Sequence, residues 1–253
     1  MADLLRFRRA ATDCVFWARE LRRAALLLAA SVALFWSSLA TGRWIVPIPD
    51  SGPIFGDVLI VWLAVVVHVS AWPNLWAGLR DLRARQPNDP TVVVAWRAFL
   101  LTLVVVVAAI IVVLLEYHAI VSPEAGMFIL YVPVFSYLGW SFVPILALHG
   151  VLFGRVAGCL EPRFRYLADT GAFVLFAVAA ATTVLVLQNP GASAFVQAWS
   201  LGLGILPGAA LAGYAMIAVG MTAHLAPITS WIPTRTRQRV RGSSTERSIE
   251  VFR

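Results

Sequence analysis

The sequence predicts an all-α polytopic membrane protein: a bundle of six transmembrane helices with an amphipathic interfacial helix at the N-terminus. Residues 99–115 form a run of seventeen residues without a charge. Hydrophobic residues make up 60% of the 253-residue chain and charged residues 13%, and the mean hydropathy is +0.81. A soluble domain of this size needs more polar surface than that, so we expect lipid around the helices. The distribution of arginine along the chain is the third observation.

The uncharged run defines the type of span. A helix rises 1.5 Å per residue, so roughly 20 apolar residues cross about 30 Å of hydrocarbon. Ala98 and part of residues 116–121 complete that length. A strand this long, with neither alternation nor a turn residue, would be abnormal. We therefore expect a helix that crosses the membrane between Arg97 and Glu116.

Residues 1–23 are predicted to form an amphipathic helix at the cytoplasmic interface. Arginines are interspersed there with apolar side chains, a pattern typical of helices that lie on anionic lipid headgroups. The arginines are Arg6, Arg8, Arg9, Arg19, Arg22 and Arg23. They would equally hold the N-terminus on the cytoplasmic side, and the two interpretations are compatible.

Residues 24–225 are predicted to form one transmembrane domain of six helices. The spans are expected at about 24–41, 57–72, 99–115, 127–153, 170–187 and 194–223. Three prolines prevent the loop 42–56 from being helical throughout, and Pro87 and Pro90 mark a turn in the polar segment 76–97. Residues 226–253 are predicted to be a basic cytoplasmic tail.

The arginines predict the orientation of the bundle. All 20 basic residues are arginine, and 19 of them fall in the N-terminal segment, the loops after spans two and four, and the tail. Arg43 is the exception. Because basic residues concentrate on the cytoplasmic side, we expect a multi-pass protein of the plasma (inner) membrane with both termini cytoplasmic.

Spans four and six are predicted to be bent and to pack closely. Proline removes a backbone hydrogen bond, and glycine lets a neighbouring helix approach. The hinge or packing residues are Pro133, Pro144, Gly150, Gly154, Gly158, Gly204, Pro207 and Gly208. We expect bends at Pro144 and Pro207, and a close helix contact at the GxxxGxxxG spacing that begins at Gly150.

A polar cluster is predicted at the outer face. Asp57 begins span two, whereas Glu116 and His118 end span three on the same side. Asp50 and Glu124 lie in the adjoining loops. Carboxylates and imidazoles bind cations and relay protons, but the spacing identifies no particular metal. The alternative is that these side chains simply end helices at the level of the headgroups.

Histidines raise the alternative of b-haem, which needs axial imidazoles from two helices at one depth. His149 and His224 both lie near the cytoplasmic ends of their spans, so they would form such a pair. His68 is expected at a different depth, near the middle of span two.

The sequence favours a non-enzymatic role, either as a transport or channel component or as the membrane subunit of a larger complex. The HExxH, GxSxG, CxxC and Gly-rich phosphate-loop motifs are absent, and the lack of lysine excludes a lysine Schiff base. The alternative is an electron-transfer subunit that binds b-haem or quinone. Expected partners are the bilayer with its anionic lipids and other membrane subunits or further copies of the chain. Nucleic acid is not an expected partner.

Overall fold

The computed structural model describes residues 16–44, 55–120, 128–188 and 204–230, and in those residues it contains helices and no strand. The helices are α1 (Phe16–Trp44), α2 (Phe55–Ser70), α3 (Trp72–Arg85), α4 (Pro90–Ile120), α5 (Phe128–Ala157), α6 (Pro162–Gln188) and α7 (Ile205–Ser230). The predicted all-α class is therefore confirmed for these residues. The count of six spans stays a prediction.

Three of the described helices are long and apolar enough to cross a membrane. Their apolar stretches are Pro90–Val112 in α4, Phe164–Gln188 in α6 and Ile205–Leu225 in α7. Each has at least 21 residues, which reaches about 30 Å at 1.5 Å per residue. The predicted span over 99–115 lies within α4, whose 31 residues extend well beyond it.

The helices pack in the order α2, α1, α7, α6, α5 and α4, and α3 lies against α1. The helices bury alanine, leucine and aromatic side chains between them, such as Leu28 and Phe35 on α1 and Phe153 on α5. The outward faces stay apolar, with Val104 on α4 and Phe173 on α6 both well exposed. Large apolar side chains on the outside suit lipid rather than water.

The start of the first described helix differs from the predicted start of the first span. α1 begins at Phe16 and continues without interruption to Trp44, so residues 16–23 belong to the same helix as the first predicted span. A helix tolerates charges where it leaves the hydrocarbon, which is why the arginines of this segment do not end it. Residues 1–15 and the predicted tail after Ser230 lie outside the described residues.

The expected turn at Pro87 and Pro90 is present, but the polar segment around it is helical. α3 ends at Arg85 and α4 starts at Pro90, where a proline at the first helical position loses no backbone bond. Asp89 precedes α4 and accepts hydrogen bonds from the hydroxyl of Thr91 at 2.6 Å and from its N–H at 2.8 Å. These bonds cap the helix.

Replacing Asp89 should weaken this cap. The hydroxyl of Thr91, followed by its N–H, lowers the pKa of the Asp89 carboxyl below its usual range. The carboxylate therefore stabilises the fold above about pH 4, and that stabilisation is lost as the pH falls through the lowered value. We expect Asp89→Ala to lower the thermal midpoint in detergent by about 2–4 °C at neutral pH. Asp89→Asn should retain most of the cap but lose its pH dependence, and an unchanged midpoint in Asp89→Ala would contradict the assignment.

Candidate functional site

A buried polar cluster lies where α2, α5 and α7 meet. It consists of His68 on α2, His149 on α5 and Tyr214 on α7, which are 7%, 0% and 1% exposed. Ionisable side chains are costly inside an apolar bundle and commonly have a function there. We refer to these three residues as the histidine cluster.

The cluster is connected by short contacts. The Nδ1 atom of His149 lies 2.7 Å from the hydroxyl of Tyr214, which is a hydrogen bond. The ring centroids of His149 and His68 are 6.0 Å apart, and the angle between the two ring planes is 23°. Phe153 packs edge-on against both His149 and Tyr214. These contacts fix His149 in a tightly enclosed position.

Both imidazoles have a nitrogen without a partner. The Nε2 atoms of His68 and His149 are buried, and neither forms a hydrogen bond with another described residue. Buried polar atoms in proteins are nearly always paired, so two such atoms in neighbouring rings need an explanation. A ligand or a water molecule would provide one.

A small cavity adjoins His68. It is lined by Ser31 and Phe35 of α1, Ala64, Val65 and His68 of α2, and Phe142 and Ile145 of α5. The cavity has room for about one water molecule. Its lining is mostly apolar, with Ser31 and His68 as the polar side chains.

The surroundings of the cluster carry no compensating negative charge in the described segments. No carboxylate there acts on either imidazole, and the titratable side chains next to His149 are Tyr214 and His68. The buried carboxylate of Glu20 is paired with Arg19 and Arg23 near the start of α1. Neither His68 nor His149 forms an ion pair within the described residues.

His149 and His224, the pair of histidines predicted to lie at one depth, contact different residues in the structure. His224 packs against Trp17 of α1, with ring centroids 5.9 Å apart. It follows Tyr214 by ten residues, or roughly 15 Å along α7. His149 instead meets His68, which sequence reasoning put at another depth. α2 ends at Ser70 and is followed, after Ala71, by α3, and the sequence pattern did not show that this arrangement brings His68 beside α5.

The histidine cluster does not fit a haem. Tyr214 and Phe153 pack directly on His149, and the cavity beside His68 takes about one water rather than a macrocycle. In the described residues there is also no group of three or more histidine, cysteine, aspartate or glutamate side chains that could hold a metal.

The predicted outer cluster falls mostly beyond what the structure describes. Asp57 belongs to α2, and Glu116 and His118 belong to α4, but their side chains lie outside the described set. Asp50 and Glu124 lie outside it entirely. The outer cluster therefore stays a prediction.

The predicted packing glycines occupy several different environments. A Cβ on Gly150 would lie 2.9 Å from the carbonyl oxygen of Ala172, so α5 and α6 are in close contact there. A Cβ on Gly154 would be in ordinary van der Waals contact, 3.5 Å from the Cβ of Ala172. A Cβ on Gly158 would lie 3.1 Å from the carbonyl oxygen of Arg155 in the same turn. Gly208 has nothing within 4 Å. Gly204, with φ of +80°, lies directly against the indole of Trp36.

The predicted prolines are accommodated within or at the start of helices. α5 stays helical from Phe128 to Ala157, including Pro133 and Pro144. α7 begins at Ile205, so Pro207 lies in its first turn, where no intrahelical bond is lost. The expected bends at Pro144 and Pro207 stay predictions.

Sequence reasoning missed a tighter contact between α6 and α7. A Cβ on Gly171 would lie 2.5 Å from the carbonyl oxygen of Gly213, and one on Gly213 would lie 3.0 Å from that of Gly171. The two glycines let the backbones touch. They are 42 positions apart in the chain and form no local motif, so the sequence alone gave no indication of this contact.

Comparisons of the chain with protein-family models, with curated proteins and with solved structures give no match.

Proposed function

We propose that the chain is a non-enzymatic integral membrane protein that acts as a transport or channel component, alone or as the membrane subunit of a larger assembly. The histidine cluster supports this proposal more than any other feature. It places polar nitrogens without partners at the junction of three helices whose other buried side chains are largely apolar. Solute paths through membrane proteins are commonly marked by such groups.

The proposal includes an orientation and a location. The six-span arrangement, with both termini cytoplasmic in a plasma (inner) membrane, is supported by the bias of arginine toward one set of loops. Anionic lipids are the proposed partners of those arginines. Other membrane subunits or further copies of the chain are the proposed protein partners.

A flux assay tests the proposal. The full chain is reconstituted in liposomes, and flux is measured for a panel of monovalent ions, divalent ions and small neutral solutes. We expect flux of at least one solute, reduced about tenfold or more by His149→Ala and retained in His224→Ala. No flux above that of empty liposomes for any solute, from folded protein that co-purifies with no other chain, would overturn the proposal.

The alternative function, electron transfer, is favoured by one observation: two imidazoles from different helices do share a level, namely His68 and His149. The cluster does not fit haem, so quinone is the remaining form of this alternative. Extraction of the purified protein with organic solvent, followed by mass spectrometry, tests it. Stoichiometric quinone would favour electron transfer over transport.

A further inference from the structure

We propose that Arg80 and Arg83 of α3 bind the headgroup of an anionic phospholipid, whose acyl chains lie along the exposed face of α4. The inference deepens the anionic-lipid partner named in the proposed function, and it rests on the membrane location proposed there. Lipid binding is measured without any flux, so each proposal can fail without the other.

The charged residues of α3 are divided between two sides of the helix. Its buried face packs against α1 and consists of Leu75, Gly78, Leu79 and Leu82. At 3.6 residues per turn, Trp76, Arg80 and Arg83 lie to one side of that face, whereas Asp81 and Arg85 lie to the other. Asp81 and Arg85 form an ion pair at 2.9 Å. Arg80 and Arg83 are exposed, and neither pairs with a carboxylate of a described residue, so the unpaired positive charge of α3 lies on the side of Trp76.

Ring contacts place this side of α3 against α4. The guanidinium carbon of Arg83 lies 5.2 Å from the ring centroid of Trp96, and the ring centroids of Trp76 and Trp96 are 5.0 Å apart. An arginine held over an aromatic ring keeps N–H donors for an anion. Arg80 and Arg83 are three residues apart on the helix, so they are neighbours that can donate to the same phosphate group. Tryptophans at this level are typical of a membrane interface.

The adjoining surface of α4 favours a lipid over a free phosphate ion. One, two and three turns beyond Trp96, α4 exposes Leu100, Val104 and Val107, which are 40%, 62% and 55% accessible. These residues belong to a stretch that is long and apolar enough to cross a membrane. Arg97 is also exposed and adds to the positive charge at the same end of that stretch. Basic groups at the head of an apolar surface match a molecule that has an anionic headgroup and acyl chains.

Native mass spectrometry of the full-length protein in detergent tests the site. The probes are phosphatidylglycerol, which has a net negative charge, and phosphatidylcholine with the same chains, which has none. We expect phosphatidylglycerol to bind about 10-fold more tightly, because two unpaired arginines favour the net negative headgroup. Glycerol phosphate, which has no acyl chains, should not bind measurably.

Variants locate the site on α3. Arg80→Gln combined with Arg83→Gln should abolish most of the preference for phosphatidylglycerol. Arg85→Gln is the matched control, since it removes the same charge from the same helix on the side where Arg85 is paired with Asp81, and it should keep the preference. All three side chains are exposed, so the variants are expected to fold.

Four results would each overturn the proposal. They are equal binding of the two lipids by the wild type, an unchanged preference in the folded double variant, an equal loss in Arg85→Gln, and binding of glycerol phosphate as tight as that of the lipid. The last result would indicate a site for free phosphate. A lipid preference in a protein that shows no flux would leave this site intact while the transport proposal failed.

Discussion

Gly171→Ala is expected to destabilise the protein by about 1–3 kcal/mol, because it places a methyl group where two helices touch. The new Cβ would lie 2.5 Å from the carbonyl oxygen of Gly213, a distance that forces the backbones of α6 and α7 apart. Gly213 has the reciprocal contact with the oxygen of Gly171 at 3.0 Å. Neither partner atom is the flexible end of a side chain, so the strain cannot be relieved locally.

Unfolding with SDS in mixed micelles measures this effect as a free energy. Gly208→Ala is the matched control, since it is a glycine of α7 with nothing within 4 Å of its added Cβ. It should be neutral or should stabilise the helix by up to about 1 kcal/mol. If the free energy of unfolding of Gly171→Ala equalled that of Gly208→Ala, the result would contradict the close backbone contact between α6 and α7.

Local patterns predicted the features that depend on local chemistry. The uncharged run of 99–115 required an apolar solvent, and α4 covers it. Pro87 and Pro90 predicted a turn, and the chain turns there between α3 and α4. The sequence did not show that residues 16–23 are continuous with the first predicted span, because arginines near a membrane suit an interfacial helix and the end of a long transmembrane helix equally well.

Contacts between distant residues were beyond such patterns. Hydropathy reports which residues avoid water, but it does not report how a helix is rotated about its axis. The pairing of His149 with His68 and Tyr214 depends on the rotation of three helices at once. The Gly171–Gly213 contact likewise depends on the relative height of α6 and α7, which the intervening residues do not encode in any short motif.

Tyr214→Phe is expected to destabilise the protein by about 1–2 kcal/mol, since it leaves Nδ1 of the fully buried His149 without its partner. The ring is retained, so its edge contacts with Phe153 and His149 are kept, and the loss is that of the hydrogen bond. Tyr166→Phe is the matched control, because the side chain of Tyr166 is 78% exposed.

A double-mutant cycle isolates the bond. His149→Leu alone removes the acceptor or donor of the Tyr214 hydroxyl, and the double variant His149→Leu with Tyr214→Phe leaves neither polar group unpaired. The double variant should therefore be more stable than the sum of the two single effects predicts, by about 0.5–1.5 kcal/mol. Strict additivity would mean that the hydroxyl and the imidazole do not interact.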